Sequence, residues 1–509
     1  MAATAALMAS MAGAAAAQEP VPASVQSALS QITDKPVYQH STWGYRVVDL
    51  STGAVLVERN ADKMFVTGSI LKVYSTATAL DTLGPDYRFR TPVYRRGSDL
   101  ILVGSGDYSF GLRDRSNGTL AFNSTPEIDH NYADTGLPGP ALVANSDPLA
   151  AVDRLARQAR AAGIRRVKGD VVIDDRLFAT YRDWPDGLIS PIWINENVID
   201  ITTRPTRPGR PAKVDWRPRT AAIRVVSQVR TVAGQGTPLV VDSPRPGLVR
   251  IRGQIGRRSG PVLSIHQIPD PAAFARTAFI EALRRAHVRV DARTTGRNPT
   301  SLLPKRRSYA RASRVAQRVS PPLSEYVKVI LKVSYNRGAD DMVCMVAVAK
   351  GSRSCVDGLR TELSTIKALG VSPLSTILFD GAGSSEFDRS SLVDYTTFLR
   401  NITQQPWGAD LRNGLPILGV DGTFATNQRG TPAAGHVFLK SGTRAQGAPT
   451  DDQGILSAFT QAGYIDAKSG RRLAYALFLR DLSLSPDFSE FTAADQDEGA
   501  IAAAFQEGY

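Results

Sequence analysis

Cysteine and histidine are scarce in this chain, at two and five among 509 residues. The histidines (His40, His130, His266, His287 and His436) are dispersed, and no His-Glu-x-x-His run occurs. Cys344 and Cys355 do not have the spacing of a metal-binding pair, so the pattern disfavours a zinc peptidase, and no cofactor is expected. An even number of cysteines in an exported chain permits one disulfide, Cys344–Cys355; two buried thiols are the other reading. Long apolar runs are missing too: the apolar run in Met1–Ala17 is too short to span a bilayer comfortably, and nothing later reaches spanning length. No helix-turn-helix, zinc-finger or RNA-recognition signature accompanies the net charge of +13. Its arginines are scattered among Pro and Gly, as in Arg204-Pro205-Thr206-Arg207-Pro208-Gly209-Arg210-Pro211, which reads as solvated surface, with no nucleic-acid partner.

What is present begins with a leader. Met1–Ala17 is a run of small, mostly apolar residues ending in Ala-Ala-Ala-Ala before Gln18, the pattern of a secretory signal and its cleavage site, although the usual basic start is lacking. It predicts an exported protein of the periplasm or cell envelope, soluble after cleavage, with at most peripheral membrane contact. With 42% hydrophobic residues there is ample material for a core, and the length predicts two to four domains.

Periodicity divides the chain. An amphipathic helix is expected around Val25–Ile32, then a hairpin from Trp43–Leu50 and Ala54–Glu58, then a helix from Leu71 to Leu83 ending at Gly84-Pro85. From about residue 91 to 305, short strand-like runs alternate with Gly/Pro/Arg turns, with helices at Pro148–Ala162 and Pro271–Ala286. Arg115–Asn145 has no period and is expected to be a surface loop. Further on, Ser324–Val346 and Val356–Leu369 read as helices, Ser375–Phe379, His436–Leu439 and Arg472–Arg480 as strands, and the acidic stretch from Asp487 as leading into an Ala-rich helix. The economical arrangement is a discontinuous α/β domain made of residues 25–90 and 305–509, with a β-rich insertion of two small domains at 91–304.

Three short motifs occur in order. In Ser69-Ile70-Leu71-Lys72, a spacing of three places serine and lysine on one helix face, with side chains about 5–6 Å apart at Cβ. A lysine made neutral by burial or neighbouring positive charge can take the hydroxyl proton, and the N–H groups of a helix start suit a developing oxyanion. Ser334-Tyr335-Asn336 offers a hydroxyl to relay a proton and an amide to bind a substrate carbonyl. Lys440-Ser441-Gly442-Thr443, at the end of the strand His436–Leu439, offers a positive field, a hydroxyl and a strand edge open to an extended peptide. Each alone is weak, being equally a polar helix end or turn. Their joint occurrence in this order is the S-x-x-K, S-x-N, K-T-G set of penicillin-binding proteins and β-lactamases.

Beyond the motifs, the chain resembles the class C low-molecular-mass penicillin-binding proteins, peptidase family S13, the D-alanyl-D-alanine carboxypeptidase/endopeptidases. The resemblance rests on Gly68–Val73, Leu83–Thr91, Leu102–Asp107, Asn195–Val198, Asp380-Gly-Ala-Gly383 and Leu415–Thr423, and spans nearly the whole mature chain. It implies an α/β (α+β) fold, a β-lactamase/transpeptidase-like serine hydrolase domain interrupted by a large insertion, consistent with the roughly 260 residues between Lys72 and Ser334. It also implies roles: Ser69 the acylated nucleophile, Lys72 the base, Ser334 the proton shuttle, Lys440 the field and proton assistant. Asn336, Ser441, Gly442 and Thr443 would bind substrate, with the N–H groups of Ser69 and Thr443 forming the oxyanion hole. The implied partners are peptidoglycan peptides ending in D-Ala-D-Ala or cross-linked, with β-lactams as inhibitors. Ser441 stands where threonine is commoner. Asp129, His130 and Asp134, in the long segment Gly111–Asn145, are either substrate contacts or, the favoured reading, hydrogen bonds that hold the loop. The competing functions are a β-lactamase or esterase of the same fold and a non-catalytic wall-binding or β-lactam-sensing protein; a class A β-lactamase is disfavoured by the missing glutamate loop after the second motif.

Overall fold

In the computed structural model, the described residues are 19–135, 139–182, 184, 186–306, 308–310, 313–450 and 453–509; the leader Met1–Ala17 lies outside them. The two ends of the chain meet in one antiparallel sheet. Its strands run in the order Val437–Gly447, Gly454–Asp466, Arg472–Arg480, Thr42–Asp49 and Val55–Arg59, and Leu482–Leu484 also pairs with Gly454–Asp466. The N-terminal strand pairs with the C-terminal one from Thr42 opposite Arg480 to Asp49 opposite Leu473.

The central strand shows why the ends belong together. Leu473, Tyr475, Leu477 and Leu479 point to one face, where they pack with Val25, Leu29, Ile501 and Phe505 of the helices Ala23–Thr33 and Ser489–Gly508. Ala474, Ala476 and Phe478 point to the other, against Phe65, Leu392, Tyr395 and Phe398. A strand covered on both faces needs no polar alternation, so this one reads as a continuous apolar run.

Behind the second face lies the helix Lys72–Leu83, nine of whose residues are buried, serines and threonines included. Its small side chains let three helices close around it: Leu323–Lys332, Asn336–Ala349 and Cys355–Ala368. The last two lie against each other, tied by the Cys344–Cys355 disulfide. A Cβ on Gly358 would stand 2.0 Å from the Val343 carbonyl oxygen, so only glycine allows this approach.

The middle of the chain builds a four-stranded sheet in the order Arg314–Val319, Arg90–Arg96, Asp99–Val103 and Val171–Asp174. Two three-stranded sheets follow: Lys213–Arg217, Val198–Arg204 and Val262–Gln267; and Arg224–Val232, Leu248–Gly256 and Thr237–Arg245.

Three expectations are corrected. Ser324–Val346 is two helices, Leu323–Lys332 and Asn336–Ala349. Ser334 takes a left-handed φ of +60°, and the Tyr335 N–H returns to the Ile330 carbonyl at 3.0 Å, closing the first helix as a Schellman turn. Ser375–Phe379 is not a strand beyond the single bridge Ile377–Arg389, since the segment Arg389–Ser391 that it meets there makes its ladder with Met64–Val66. The described residues of 115–145 are largely irregular as expected, but the segment is not a surface loop at its centre: Leu120, Asp129 and His130 are buried.

Replacement of Gly358 by alanine is expected to force these two helices apart, at a cost of about 1–3 kcal/mol. A fall in the thermal unfolding midpoint of the purified protein would register it, and an unchanged midpoint would contradict the packing described.

Candidate active site

The first motif is presented by a tight turn. Gly68 has φ of +53°, and Gly68–Leu71 forms a 3-10 turn that runs directly into the helix Lys72–Leu83. Ser69 is therefore half-buried at the head of a helix whose first residue, Lys72, has no exposed surface. The Lys72 Nζ donates to Ser69 Oγ at 2.7 Å and to the Ala382 carbonyl at 2.8 Å. Burial disfavours its charged form and pushes the ammonium down to about 8, against the opposing pull of Asp186, Asp340, Asp380 and Asp388.

The third motif lies inside the strand Val437–Gly447, not beyond its end as the sequence suggested. The strand's ladder continues through Lys440 opposite Ala462, Gly442 opposite Thr460 and Thr443 opposite Phe459. Lys440 has no exposed surface, and its Nζ donates to the Ser441 carbonyl at 2.7 Å. Burial, and then the charge on Lys72, hold its ammonium well below the usual lysine range. Ser441 is half-buried and Thr443 exposed.

Two glycines bring the first and third motifs together. A Cβ on Gly442 would lie 2.4 Å from the Thr67 carbonyl and 2.7 Å from the Ser69 nitrogen; one on Gly68 would lie 3.0 Å from the Thr443 nitrogen. The backbone nitrogens of Ser69 and Thr443 thus flank one narrow seam, pinned by Thr460 Oγ1 donating to the Thr67 carbonyl at 2.8 Å.

The second motif joins from the helix side. Ser334 sits at the left-handed position of the Schellman turn and Asn336 opens the next helix. Asn336 Nδ2 donates to Asp186 Oδ1 at 2.7 Å and to Ser384 Oγ at 3.2 Å, and Ser384 Oγ donates to Asp186 Oδ2 at 2.7 Å. Asp186 is also the largest acidic influence on Lys72, so the second motif borders the same pocket as the first.

The loop Asp380–Ser385 links them. The Asp380 carboxylate accepts the N–H groups of Ala382, Gly383, Ser384 and Ser385 at 2.6–3.2 Å. That turn aims the Ala382 carbonyl at Lys72 and the Ser384 hydroxyl at Asn336. Gly383, with φ of +78°, is pressed so closely on the Gly68 carbonyl that a Cβ would lie 1.8 Å from it. Asp186, Ser384 and Thr460 went unremarked in the sequence. The Asp380-Gly-Ala-Gly383 run, noted above only for the resemblance, is the signal that marks this loop as a built turn.

Asp129 and His130 are not substrate contacts. Both are fully buried, and Asp129 and Glu196 hold the Arg113 guanidinium, while His130 Nδ1 lies 2.7 Å from Asp200. Asp129, His130 and Glu196 have the mutual closeness of metal ligands, but Arg113 is already bound to both carboxylates. Asp134 is exposed.

Comparison with known proteins places this architecture. Residues 25–496 match the D-Ala-D-Ala carboxypeptidase 3 (S13) family. A D-alanyl-D-alanine carboxypeptidase of Actinomadura sp. is 27% identical over 82% of this chain and 75% of its own length. The D-alanyl-D-alanine carboxypeptidase DacB of Haemophilus influenzae is 21% identical over 89% and 88%. The crystal structure of penicillin binding protein 4 (dacB) from Haemophilus influenzae superposes with a TM-score of 0.70, at 18% identity, over 95% of this chain and 99% of that one.

Substituting Gly442 with alanine is expected to lower the rate at which a labelled penicillin becomes attached to the protein by about 100-fold. Attachment at the unaltered rate would show that the seam between Gly68 and Gly442 has no bearing on reactivity.

Proposed function

This chain belongs to the D-Ala-D-Ala carboxypeptidase 3 (S13) family of serine-type peptidases, and on that premise we propose that it hydrolyses peptidoglycan stem peptides through an acyl-enzyme on Ser69. The observation that carries the proposal is the 2.7 Å contact between Ser69 Oγ and a fully buried lysine amine whose charged form is disfavoured.

The neutral amine of Lys72 takes the proton of Ser69 as Oγ attacks the penultimate D-Ala carbonyl. The carbonyl oxygen gains negative charge beside the backbone N–H groups of Ser69 and Thr443. The C–N bond then breaks as Lys72 passes its proton to Ser334 and the Ser334 hydroxyl gives its own to the departing amine, either free D-Ala or the amine of a cross-linked peptide. Water attacks the resulting ester, the same groups run in reverse, and Ser69 is regenerated. Asn336 holds the substrate amide; Lys440 and Thr443 face the terminal carboxylate, while Ser441 and Gly442 present the strand edge along which the peptide extends.

Penicillins enter the same path, since their strained amide gives Ser69 an equivalent carbonyl. On this reading residues 25–90 and 305–509 form the catalytic domain and 91–304 the insertion. The protein works in the periplasm or cell envelope, and no described helix is long and apolar enough to cross a membrane.

Purified protein incubated with pentapeptide-bearing muropeptides is expected to release D-Ala, and Ser69→Ala to release none; conversion of cross-linked dimers to monomers would add endopeptidase action. Fast turnover of penicillin without D-Ala release would favour a β-lactamase instead, and a stable penicillin adduct without release would favour a sensing protein. The pH dependence carries a sign. Below about 8 the Lys72 amine is mainly charged and cannot act as base, so acylation rises with pH and levels off above that value. An inflection near 10.5, the ordinary lysine value, or none at all, would remove Lys72 from that role.

A further inference from the structure

Three side chains of the segment around Gly111–Asn145, Arg113, Asp129 and His130, take no part in the chemistry above, yet with Glu196 and Asp200 they form a group of five ionisable side chains where water hardly reaches. The side chains of Arg113, Asp129, His130 and Glu196 have no exposed surface, and Asp200 almost none. Arg113 binds Asp129 through both Nη atoms at 2.8 Å and Glu196 through Nε and Nη2. His130 bridges Asp200 at 2.7 Å and Glu196 at 3.2 Å, and Arg217 closes the set on Asp200 at 2.9 Å. With His130 protonated, three cations meet three carboxylates, and the buried charge balances. Burial opposes that protonation, but Asp200 and Glu196 outweigh it and raise the imidazole to about 10.

The backbone is bent to complete this set. Asn195, Glu196 and Asn197 all have left-handed φ values, 52°, 52° and 56°, an unusual run for residues with side chains. The two asparagines pay for it with side-chain bonds to the backbone, Asn195 to the Val198 carbonyl at 2.8 Å and Asn197 to the Ile192 carbonyl at 3.1 Å. The bend delivers the Glu196 carboxylate to Arg113 and His130.

What the network holds is a short turn, His130–Tyr132, whose last residue reaches the second motif. The Tyr132 hydroxyl donates to the Ser334 carbonyl and lies 3.4 Å from Asn336 Oδ1. The Arg113 guanidinium lies over the Tyr335 ring, 5.9 Å from its centroid. All three residues of the motif are therefore touched from this segment.

We propose that Tyr132 is a positioning residue for Ser334 and Asn336, with the buried charge network fixing where its hydroxyl sits. The inference rests on the acyl-transfer reading above. Ser334 occupies the left-handed position of a helix end, where glycine is the usual residue, so its peptide plane needs an external hold. A donor on its carbonyl supplies one. The weaker contact to Asn336 Oδ1 orients the amide so that Nδ2 faces Asp186 and Ser384 across the pocket.

The test is Tyr132→Phe in the full chain, which deletes only the hydroxyl. Both kcat and the penicillin acylation rate are expected to fall about 10- to 100-fold, with KM nearly unchanged. The melting midpoint should stay within about 2 °C of the parent. In a Ser334→Ala background the same change should cost at least about threefold less, because the Ser334 hydroxyl, one of the two groups positioned, is gone while the Asn336 amide remains. Unaltered kinetics, or an equal loss in both backgrounds, overturns the proposal. His130→Gln, if it folds, should reproduce the Tyr132→Phe kinetics; a folded His130→Gln protein with parental rates would overturn the part assigned to the network. A parent protein that neither releases D-Ala nor reacts with penicillin would overturn the acyl-transfer reading itself, a failure distinct from an active parent indifferent to Tyr132.

Discussion

Two lysines without exposed surface share one pocket, and most of what surrounds them follows from the cost of burying an ammonium group. Among the described residues Lys440 meets that cost with a single carbonyl and no acidic partner, and the neighbouring charge of Lys72 adds to it, so its neutral form is favoured. Lys72 has four carboxyl groups around it, which would ordinarily keep it charged. Three of them are themselves weakened: burial and mutual repulsion raise Asp340 well above its usual range, raise Asp380, and lift Asp388 to about 8. Carboxyl groups whose charged forms are disfavoured exert less pull on Lys72, so burial outweighs them and its ammonium stays below the ordinary lysine range.

Holding such a pocket shut depends on backbone contact more than on side chains. Gly68, Gly383 and Gly442 each stand where a Cβ would strike a neighbouring chain within 3.0 Å. These contacts join a helix start, a carboxylate-capped loop and a strand whose sheet is completed by both ends of the chain. The motif-bearing pieces are thus far apart in sequence and near in space, because residues 42–49 pair with residues 473–480 in one sheet.

Much of this was legible in the amino-acid order. The apolar run of the central strand, the period of the helix after Ser69 and the three motifs each follow from rules of local pattern. The α/β class and the peptidase family, the latter through its resemblance over several further segments, were borne out by the fold and the family match. The missed features are tertiary. A serine in a helix-ending turn looks, in sequence, like the middle of one long helix, because Leu323–Ala349 keeps an apolar period across Ser334. A buried arginine among acids looks like a polar loop, since nothing local announces that Arg113 will meet Glu196, over eighty positions later. Likewise Ser375–Phe379 has a strand's composition but lacks a partner ladder, which composition cannot reveal.

The central claim is that Lys72 is an amine of depressed basicity in the resting protein. It is tested most directly by following the 15N chemical shift of its Nζ against pH in the selectively labelled, intact chain, with assignment by Lys72→Arg. A titration centred near 8 is the expected result. A midpoint near the ordinary 10.5 would contradict the account, because the amine beside Ser69 would then be fully charged wherever the enzyme works.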